Sequence, residues 1–530
     1  MKNKPYPLNK TVHPEHFRQV IDLPAEKSPD GTAFVFTRNR QQGSVTYARF
    51  REEAASAMAW MKHDGLVHKH IAIASENSYD WILLFFASML LENTIIPIDP
   101  QLPEEEILSL LERADTDVLF VDSKTRKRLK TIEDHAFLVE NLAMVPLKVE
   151  EYEPDFNLYT SMEPDPEAIA LIYYTSGTTG LPKGVMLTQR NIMEDIAGSV
   201  EVFSFEGKTV SVLPYHHSFG LTTSVLMAFY LGGEITICPS LRRVQKVIRE
   251  AQPNTLVLVP VFLETFHKKV WESVRKAGQE KRVRTLMAIG ENLYRHGIDI
   301  RRQLMKTIRQ AFGGRLDEVI SGGAPLPQNI IDDFHAWGIQ ILVGYGMTEC
   351  SPVISVNRNH FIKPGSSGRV MDEAQIQIAP DGEILIKGSI VAKGYYKDEE
   401  QTREAFVDGW FHSGDLGRID EDRFIYIEGR KKNLIILSSG ENVSPELIED
   451  ALMEEKGVEE ILVLGRNGRI TAIIYPAEEY RDQPEYFDQV IAKYNQTQPT
   501  YRQIQVLELR DQPFEKTAAM KIKRKGSNEQ

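Results

Sequence analysis

The sequence predicts an α/β fold: a large N-terminal body of helix-flanked sheets that carries a β-rich subdomain, followed by a small α+β C-terminal unit. Three observations predict it. Short, apolar strands alternate with amphipathic helical patterns through the first four hundred or so residues, as expected for sheets covered by helices on both faces. From about residue 365 short strands with Gly and Asp turns dominate. Beyond GRKKN (429–433) strands and helices mix again in a compact run.

The strands of the body are HIAIAS (70–75), TIIPI (94–98), TDVLFVD (116–122), AIALIYYT (168–175), TVSVLP (209–214), EITIC (234–238), TLVLVP (255–260), DEVISGG (317–323) and QILVGYG (340–346). Helical patterns lie between them; Ile192, Ile196 and Val200 recur at near-helical spacing behind Thr188, an expected N-cap. The subdomain, about 365–430, contributes AQIQIAP (374–380), GEILIKG (382–388) and RFIYIEG (423–429). The boundary falls at Lys432, which gives an N-terminal domain of residues 1–431 and a C-terminal domain of residues 432–530. In the latter, NLIIL (433–437) precedes Ser444 and Pro445, an N-cap and a first-turn proline, with Glu446 complementing the helix dipole. Strands 461–465 and 469–476 follow, then a helix with Phe487, Val490, Ile491 and Tyr494 on one face, and a strand near 503–509.

With 530 residues the chain is long enough for three or four structural units and a large core. Its 42% apolar and 26% charged residues exclude a disordered, collagen-like or coiled-coil chain. Lys and Arg number 62 against 75 Asp and Glu, a net charge of -13, so no nucleic-acid partner is expected. Cys238 and Cys350 are too few for a disulfide framework, which favours a reducing, cytoplasmic location. The first twenty residues hold no apolar h-region, so no secretory leader is expected. The longest apolar run, 81–91, is too short to cross a bilayer and reads as a buried helix, so no transmembrane segment is expected.

The strongest local signal is YYTSGTTGLPKGVMLTQRN (173–191), which reads as a strand entering a loop of Ser, Thr and Gly that a helix leaves. Small residues let backbone N–H groups approach phosphate oxygens, hydroxyls add donors, and Lys183 adds charge. It is not a Walker A loop, because Leu-Pro-Lys rather than Lys-Ser/Thr follows Gly180. Further along come SGGAPL (321–326), GYGMTE (344–349), GWFHSGDLG (409–417), GRKKN (429–433), GENVSPELIE (440–449) and KTAAMKIKR (516–524).

With these motifs in this order over nearly its whole length, the chain resembles the adenylate-forming superfamily of acyl-CoA synthetases, luciferase-type enzymes and adenylation domains. The resemblance implies that carboxylate and ATP give an acyl-adenylate and pyrophosphate, and that a thiol then captures the acyl group. It implies that Thr175, Ser176, Gly177, Thr178, Thr179, Gly180 and Lys183 hold the phosphates that leave. Thr348 would contact the α-phosphate and Glu349 would bind Mg2+, a hard cation that prefers carboxylate oxygen. Tyr345, with Gly346, would stack on adenine beside the unobstructed backbone of Gly322, Gly323 and Ala324. Asp415 would accept both ribose hydroxyls, supported by Arg430. His217 matches a histidine at the mouth of the acyl pocket.

Lys521 matches the lysine that carries adenylation, where a cation offsets the charge crowding at the α-phosphate. Met520 stands where the family usually has glycine, and Lys523 is the fallback. Lys432 matches the hinge about which the mobile C-terminal unit turns, presenting first Lys521 and then a CoA-side loop of Ser439, Gly440 and Glu441.

The expected activity is an AMP-forming acyl-CoA synthetase using ATP, CoA and Mg2+ on a medium- or long-chain fatty acid. Two alternatives stay open: loading an acyl carrier protein in place of CoA, and a non-catalytic nucleotide-binding regulator on the same fold. A homodimer is also left open. The lysine- and arginine-rich stretch 268–315 reads first as solvated helix faces, with contact to an anionic surface (a membrane, the CoA nucleotide or an acidic carrier protein) as its functional alternative.

Overall fold

The computed structural model of the chain describes residues 7–132, 135–175, 182–204, 207–437, 441–466, 468–516, 522 and 524. Two large sheets organise the body. The first has nine strands in the order Arg369–Val370, Val353–Val356, Gln340–Gly346, Glu318–Ser321, Thr255–Leu258, Lys208–Ser211, Glu234–Ile237, Thr32–Arg38 and Gln41–Thr46. From Gln340–Gly346 through Thr32–Arg38 every neighbour is parallel, and antiparallel partners close both edges. The second has seven strands: Gly394–Tyr395, Lys183–Thr188, Ile169–Thr175, Thr94–Ile98, His70–Ala74, Val118–Val121 and Leu138–Asn141.

The apolar run beginning at Trp81 forms the helix Tyr79–Leu90, in which every residue except Asp80 is buried. Ser78 caps it by accepting the Trp81 N–H at 3.1 Å. The helix Gln189–Val202 starts with a capping box between Thr188 and Asn191, and Ile192, Ile196 and Val200 are all buried. Elements that the sequence pattern does not announce lie at the start of the chain: the helix Arg18–Lys27, the hairpin of Thr32–Arg38 with Gln41–Thr46, and the helix Tyr47–His63. The hairpin turns at Asn39 and Arg40, both at positive φ (51° and 66°), without the glycine that would have advertised it.

One expectation is corrected. A strand, not a helix, leaves the Ser/Thr/Gly loop. Lys183–Thr188 pairs antiparallel with Ile169–Thr175, Thr175 facing Lys183. In KGVMLT Gly184, Val185, Leu187 and Thr188 are all buried, so it is the pairing rather than a burial period that makes it a strand. The helix starts at Gln189, roughly 20 Å away along a six-residue strand, so its dipole does not serve the loop. Residues 176–181, the centre of that motif, lie outside the described residues.

Between residues 374 and 430 an antiparallel sheet runs Ala374–Ile378, Glu383–Gly388, Trp410–Ile419 and Phe406–Val407, with Ile425–Arg430 also paired to Trp410–Ile419. Past it, Val458–Arg466, Arg469–Pro476 and Val506–Leu509 form a three-stranded sheet. With the helices Pro445–Met453 and Pro484–Thr497 they enclose a separate apolar cluster that includes Ile448, Val463, Ile474 and Phe487. Ser444 stands at the N-cap position of Pro445–Met453 but makes no side-chain cap; its hydroxyl turns to the Glu428 carbonyl, 2.6 Å away. The expected strand at 433–437 shortens to Ile435–Ile436, because Lys431–Asn433 is a 3-10 turn. Among the described residues no helix is long and apolar enough to cross a membrane.

Candidate functional site

Ligands of open α/β sheets bind beyond the carboxyl ends of parallel strands. Three parallel strands of the nine-stranded sheet end in residues singled out above. Glu318–Ser321 runs into Gly322, Gly323 and Ala324, Gln340–Gly346 carries Tyr345 at its end, and the chain after Lys208–Ser211 leads to His217. The backbones of the first two touch: a Cβ on Gly322 would meet the Gly344 carbonyl at 3.4 Å and Phe219 at 3.2 Å.

Gln340–Gly346 changes partners along its length. Its first half pairs parallel with Glu318–Ser321 and its end pairs antiparallel with Val353–Val356. Thr348 and Glu349 sit in the 3-10 turn that joins that hairpin. Gly346 makes the tight return feasible, since a Cβ there would lie 2.0 Å from the Pro352 carbonyl oxygen. The turn presents two oxygen-bearing side chains side by side. The Thr348 hydroxyl is 3.2 Å from that of Ser218, and Glu349 accepts the Tyr395 hydroxyl at 3.1 Å. Lys183 lies with its Nζ 4.8 Å from the centre of the Tyr395 ring. Cys350 beside them is fully buried, and burial, then Glu349 and Asp195, push its thiol pKa far up, so it is no thiolate nucleophile.

Tyr345 donates its hydroxyl to Asp415 at 2.7 Å, across 70 residues of sequence. Asp415 is 3% exposed, and its other oxygen takes Arg430 Nε at 2.6 Å. Asp415 and Arg430 are register partners on adjacent antiparallel strands, so the ladder itself brings the ion pair together. Burial, then the Asp415 charge, raise the Tyr345 pKa well above its ordinary value and keep the phenol a donor. Behind this pair, buried Glu383 accepts the Gly414 N–H at 3.0 Å and Lys431 Nζ at 2.9 Å.

Lys432 follows in the 3-10 turn Lys431–Asn433 and is exposed. Partial burial, then Arg430 and Lys183, lower its pKa against the pull of Asp415. His217 starts the short helix Ser218–Leu221, and burial lowers its pKa although it keeps exposed surface. Its neighbour His216, 11% exposed in its side chain and 3.8 Å from Asp99, is pushed down to about 4 by burial and by His217.

The structure thus joins Tyr345, Asp415 and Arg430 directly and joins Glu349 to Lys183 through Tyr395, while Thr348 meets Ser218. Glu441 is exposed, its carbonyl accepting the Leu437 N–H at 3.0 Å. Ser176 to Gly180, Ser439, Gly440, Met520, Lys521 and Lys523 lie outside the described residues. Sequence reasoning missed Tyr395, Ser218, Glu383 and Lys431. The Tyr-Tyr-Lys stretch 395–397 carried no signal beyond aromatic character, because strand pairing of Gly394–Tyr395 against Val185 and Met186 is what brings Tyr395 to Lys183. In the basic stretch, Lys268, Lys269, Arg275, Lys276, Lys281, Arg282 and Arg284 are all exposed, as solvated helix faces require.

A family model described as AMP-binding enzyme matches residues 21–396, and one described as AMP-binding enzyme C-terminal domain matches residues 432–530. A long-chain-fatty-acid–CoA ligase of Mycobacterium bovis is 28% identical over 427 residues, covering 74% of this chain and 70% of its own. A 2-succinylbenzoate–CoA ligase of Listeria monocytogenes is 27% identical over 467 residues, covering 86% and 88%. Among solved structures, an anthranilate CoA ligase in complex with anthranoyl-AMP superposes with a TM-score of 0.78 at 18% identity, covering 97% of this chain and 96% of its own. At that identity the likeness speaks for the fold.

Proposed function

The chain belongs to the AMP-binding enzyme family of adenylate-forming acyl- and aryl-CoA ligases, and on that premise we propose that it joins a medium- or long-chain fatty acid to CoA. The reaction runs in two steps. Acid and ATP give acyl-adenylate and pyrophosphate; the CoA thiol then displaces AMP.

The observation that carries this reading is the Tyr345–Asp415–Arg430 set, with Asp415 buried at its centre, together with Thr348, Glu349 and Lys183. Asp415 is the ribose acceptor, oriented before any nucleotide arrives by two donors, Tyr345 and Arg430. Tyr345 lies against adenine beside the bare backbone of Gly322, Gly323 and Ala324, while Lys183 and Thr348 meet the phosphates. Glu349 with the Thr348 hydroxyl offers the hard oxygen donors that Mg2+ prefers, and the half-buried carboxylate fits that ion. Bound there, Mg2+ supplies charge neutralisation at the phosphates. Lys521 stabilises charge at the α-phosphate during adenylation, and Lys432 is the hinge of the C-terminal unit 432–530, whose Glu441 end faces CoA. The neutral His217 borders the acyl entrance.

For the acid, several relatives named long-chain-fatty-acid–CoA ligases, from mycobacteria to rat and mouse at 26–28% identity, support the fatty-acid reading. The 2-succinylbenzoate relative supports an aryl acid instead. A panel of C2 to C18 and aryl acids, scored for AMP release with and without CoA, separates them. We expect maximal CoA-dependent AMP release between C8 and C18. Preference for aryl acids would overturn the substrate, acyl-adenylate without acyl-CoA would transfer the acceptor role to a carrier-protein thiol, and no acid-dependent AMP release at all would overturn the activity.

A further inference from the structure

Outside the nucleotide-side cluster, three carboxylates and one imidazole converge where three separate segments of the chain meet. The segment after Pro7 lies along the end of the helix Gln189–Val202: Asn9 donates its backbone N–H to the Glu201 carbonyl and its side-chain amide to the Val200 carbonyl, both at 2.9 Å. This sets His13 over the helix. Glu194 and Glu201 lie seven residues apart on one helix face, with Gly198 between them. Glu373, from the loop before Ala374–Ile378, enters the same spot: a Cβ on Gly198 would lie 1.9 Å from its Oε2. Gly198 is therefore the notch that admits a third carboxylate between the other two.

The two ring nitrogens of His13 have different roles. Nδ1 is 3.1 Å from Glu194 Oε2, while Nε2 faces Glu201 Oε1 at 3.2 Å and Glu373 Oε1 at 3.9 Å. Ligating histidines commonly donate one ring N–H to a carboxylate, which fixes the tautomer and leaves the other nitrogen free to bind metal. Glu194, facing Nδ1 at 3.1 Å, is placed to be that acceptor. Nε2 and one oxygen each from Glu201 and Glu373 all lie within 4.8 Å of one another. Glu373 is 8% exposed in its side chain, and its Oε2 is buried without a hydrogen-bond partner. A buried, half-satisfied carboxylate beside two more carboxylates is costly unless a cation joins them. Two nearby arginines are engaged elsewhere: Arg190 pairs with Glu167, and Arg423 holds Asp372 at 2.8 Å and the carbonyls of Met371 and Ala374.

We propose that His13, Glu201 and Glu373 bind a divalent transition-metal ion, with Glu194 orienting His13, and that this ion staples the N-terminal segment and the Glu373 loop to the helix Gln189–Val202. One imidazole nitrogen with carboxylate oxygens suits Zn2+ or Mn2+ and disfavours Mg2+ and Ca2+, which take oxygen alone. The exposed His13 leaves a path from solvent.

The test uses the full chain, chelator-treated and free of nucleotide, titrated with Zn2+ by calorimetry and followed by its melting temperature and by the visible absorption of bound Co2+. One equivalent of Zn2+ should bind and raise the melting temperature. His13→Ala and the isosteric Glu373→Gln should abolish that equivalent, and Glu194→Gln should weaken it about tenfold or more. Glu349→Gln should leave it intact. Absence of uptake, uptake unchanged in folded His13→Ala and Glu373→Gln, or uptake removed by Glu349→Gln would each overturn the proposal.

Discussion

Asp415 and Glu449 are both carboxylates set into the protein under a single arginine, yet they are held in different ways. Asp415 and Arg430 face each other on paired strands, fifteen residues apart, and would meet whatever their charges because the strand ladder brings them together. Glu449, in the helix Pro445–Met453, meets Arg524 from 75 residues further along the chain. Arg524 also donates to the Val463 carbonyl at 3.1 Å and approaches Glu446 at 3.7 Å. In the first pair the backbone fixes the charges; in the second the charges fix the backbone. Arg524 and the bridge between Lys516 and Ile522 bracket the stretch that carries Lys521, and Lys516 is itself tied to Glu460 at 2.7 Å. The proposed nucleotide site is thus set by strand register, while the described residues flanking the proposed adenylation lysine are anchored by side chains.

The largest effect that separates the two follows from Lys521. Lys521→Ala should slow adenylation by about a hundred- to a thousandfold, the scale for losing one group aimed at transition-state charge. It should largely spare thioester formation from supplied acyl-adenylate. Arg524→Ala in the same assay should show the same asymmetry at smaller amplitude, since it loosens the anchor and leaves the lysine. Single-turnover pyrophosphate release measures the first step and acyl-CoA formation the second. Equal loss of both steps in Lys521→Ala removes the role assigned to it.

Arg430→Ala should do less. The strand pairing that holds Asp415 survives, and Tyr345 still donates to it, so the fold and the acid dependence should hold while the KM for ATP rises about tenfold, one charge-assisted hydrogen bond's worth. A drop in melting temperature as large as that of Arg524→Ala would mean that the ladder does not hold Asp415 by itself.

This contrast also marks what can be read in the chain beforehand. Strands such as Thr94–Ile98 and Arg469–Pro476 are legible because each is a short run whose apolar residues all enter a core. Asp415 and Arg430 are legible as separate motifs, and their pairing is a register fact that no local pattern encodes. The Ser/Thr/Gly loop reads as strand-to-helix because a helix does follow; the six residues of Lys183–Thr188 are equally apolar under either reading, and only Ile169–Thr175 alongside decides for a strand. Tyr395 and Glu383 escape a reading of the sequence for the same reason: their importance comes from partners far away along the chain. The His13 cluster has no motif at all, since its donors come from three segments whose only shared property is where the fold puts them.

The smallest effect tests the tether through pH. Burial raises the Glu449 pKa from 4.5 to about 7 in spite of Arg524 and the Val463 N–H. A carboxyl whose folded pKa is raised holds its proton in the native state after the unfolded chain has lost it. Its contribution to stability is therefore complete below about pH 4.5 and is lost as pH rises through about 7. His216 works the other way, because its pKa of about 4 makes burial of the neutral ring costly below its ordinary 6.5. The difference between wild type and Glu449→Gln isolates the carboxyl. Between pH 5.5 and 8, wild type should lose on the order of 2 kcal/mol relative to the variant, read by hydrogen exchange in Val458–Arg466. The tether itself should trend oppositely: the ionised Glu449 of pH 8 grips Arg524 in an ion pair that the protonated acid of pH 5.5 lacks. A C-terminal unit that gains stability in acid while its tail loosens would set Glu449 apart from Asp415, whose partner is held by the ladder at either pH; parallel trends in the two readouts would show that Arg524 does not depend on that charge.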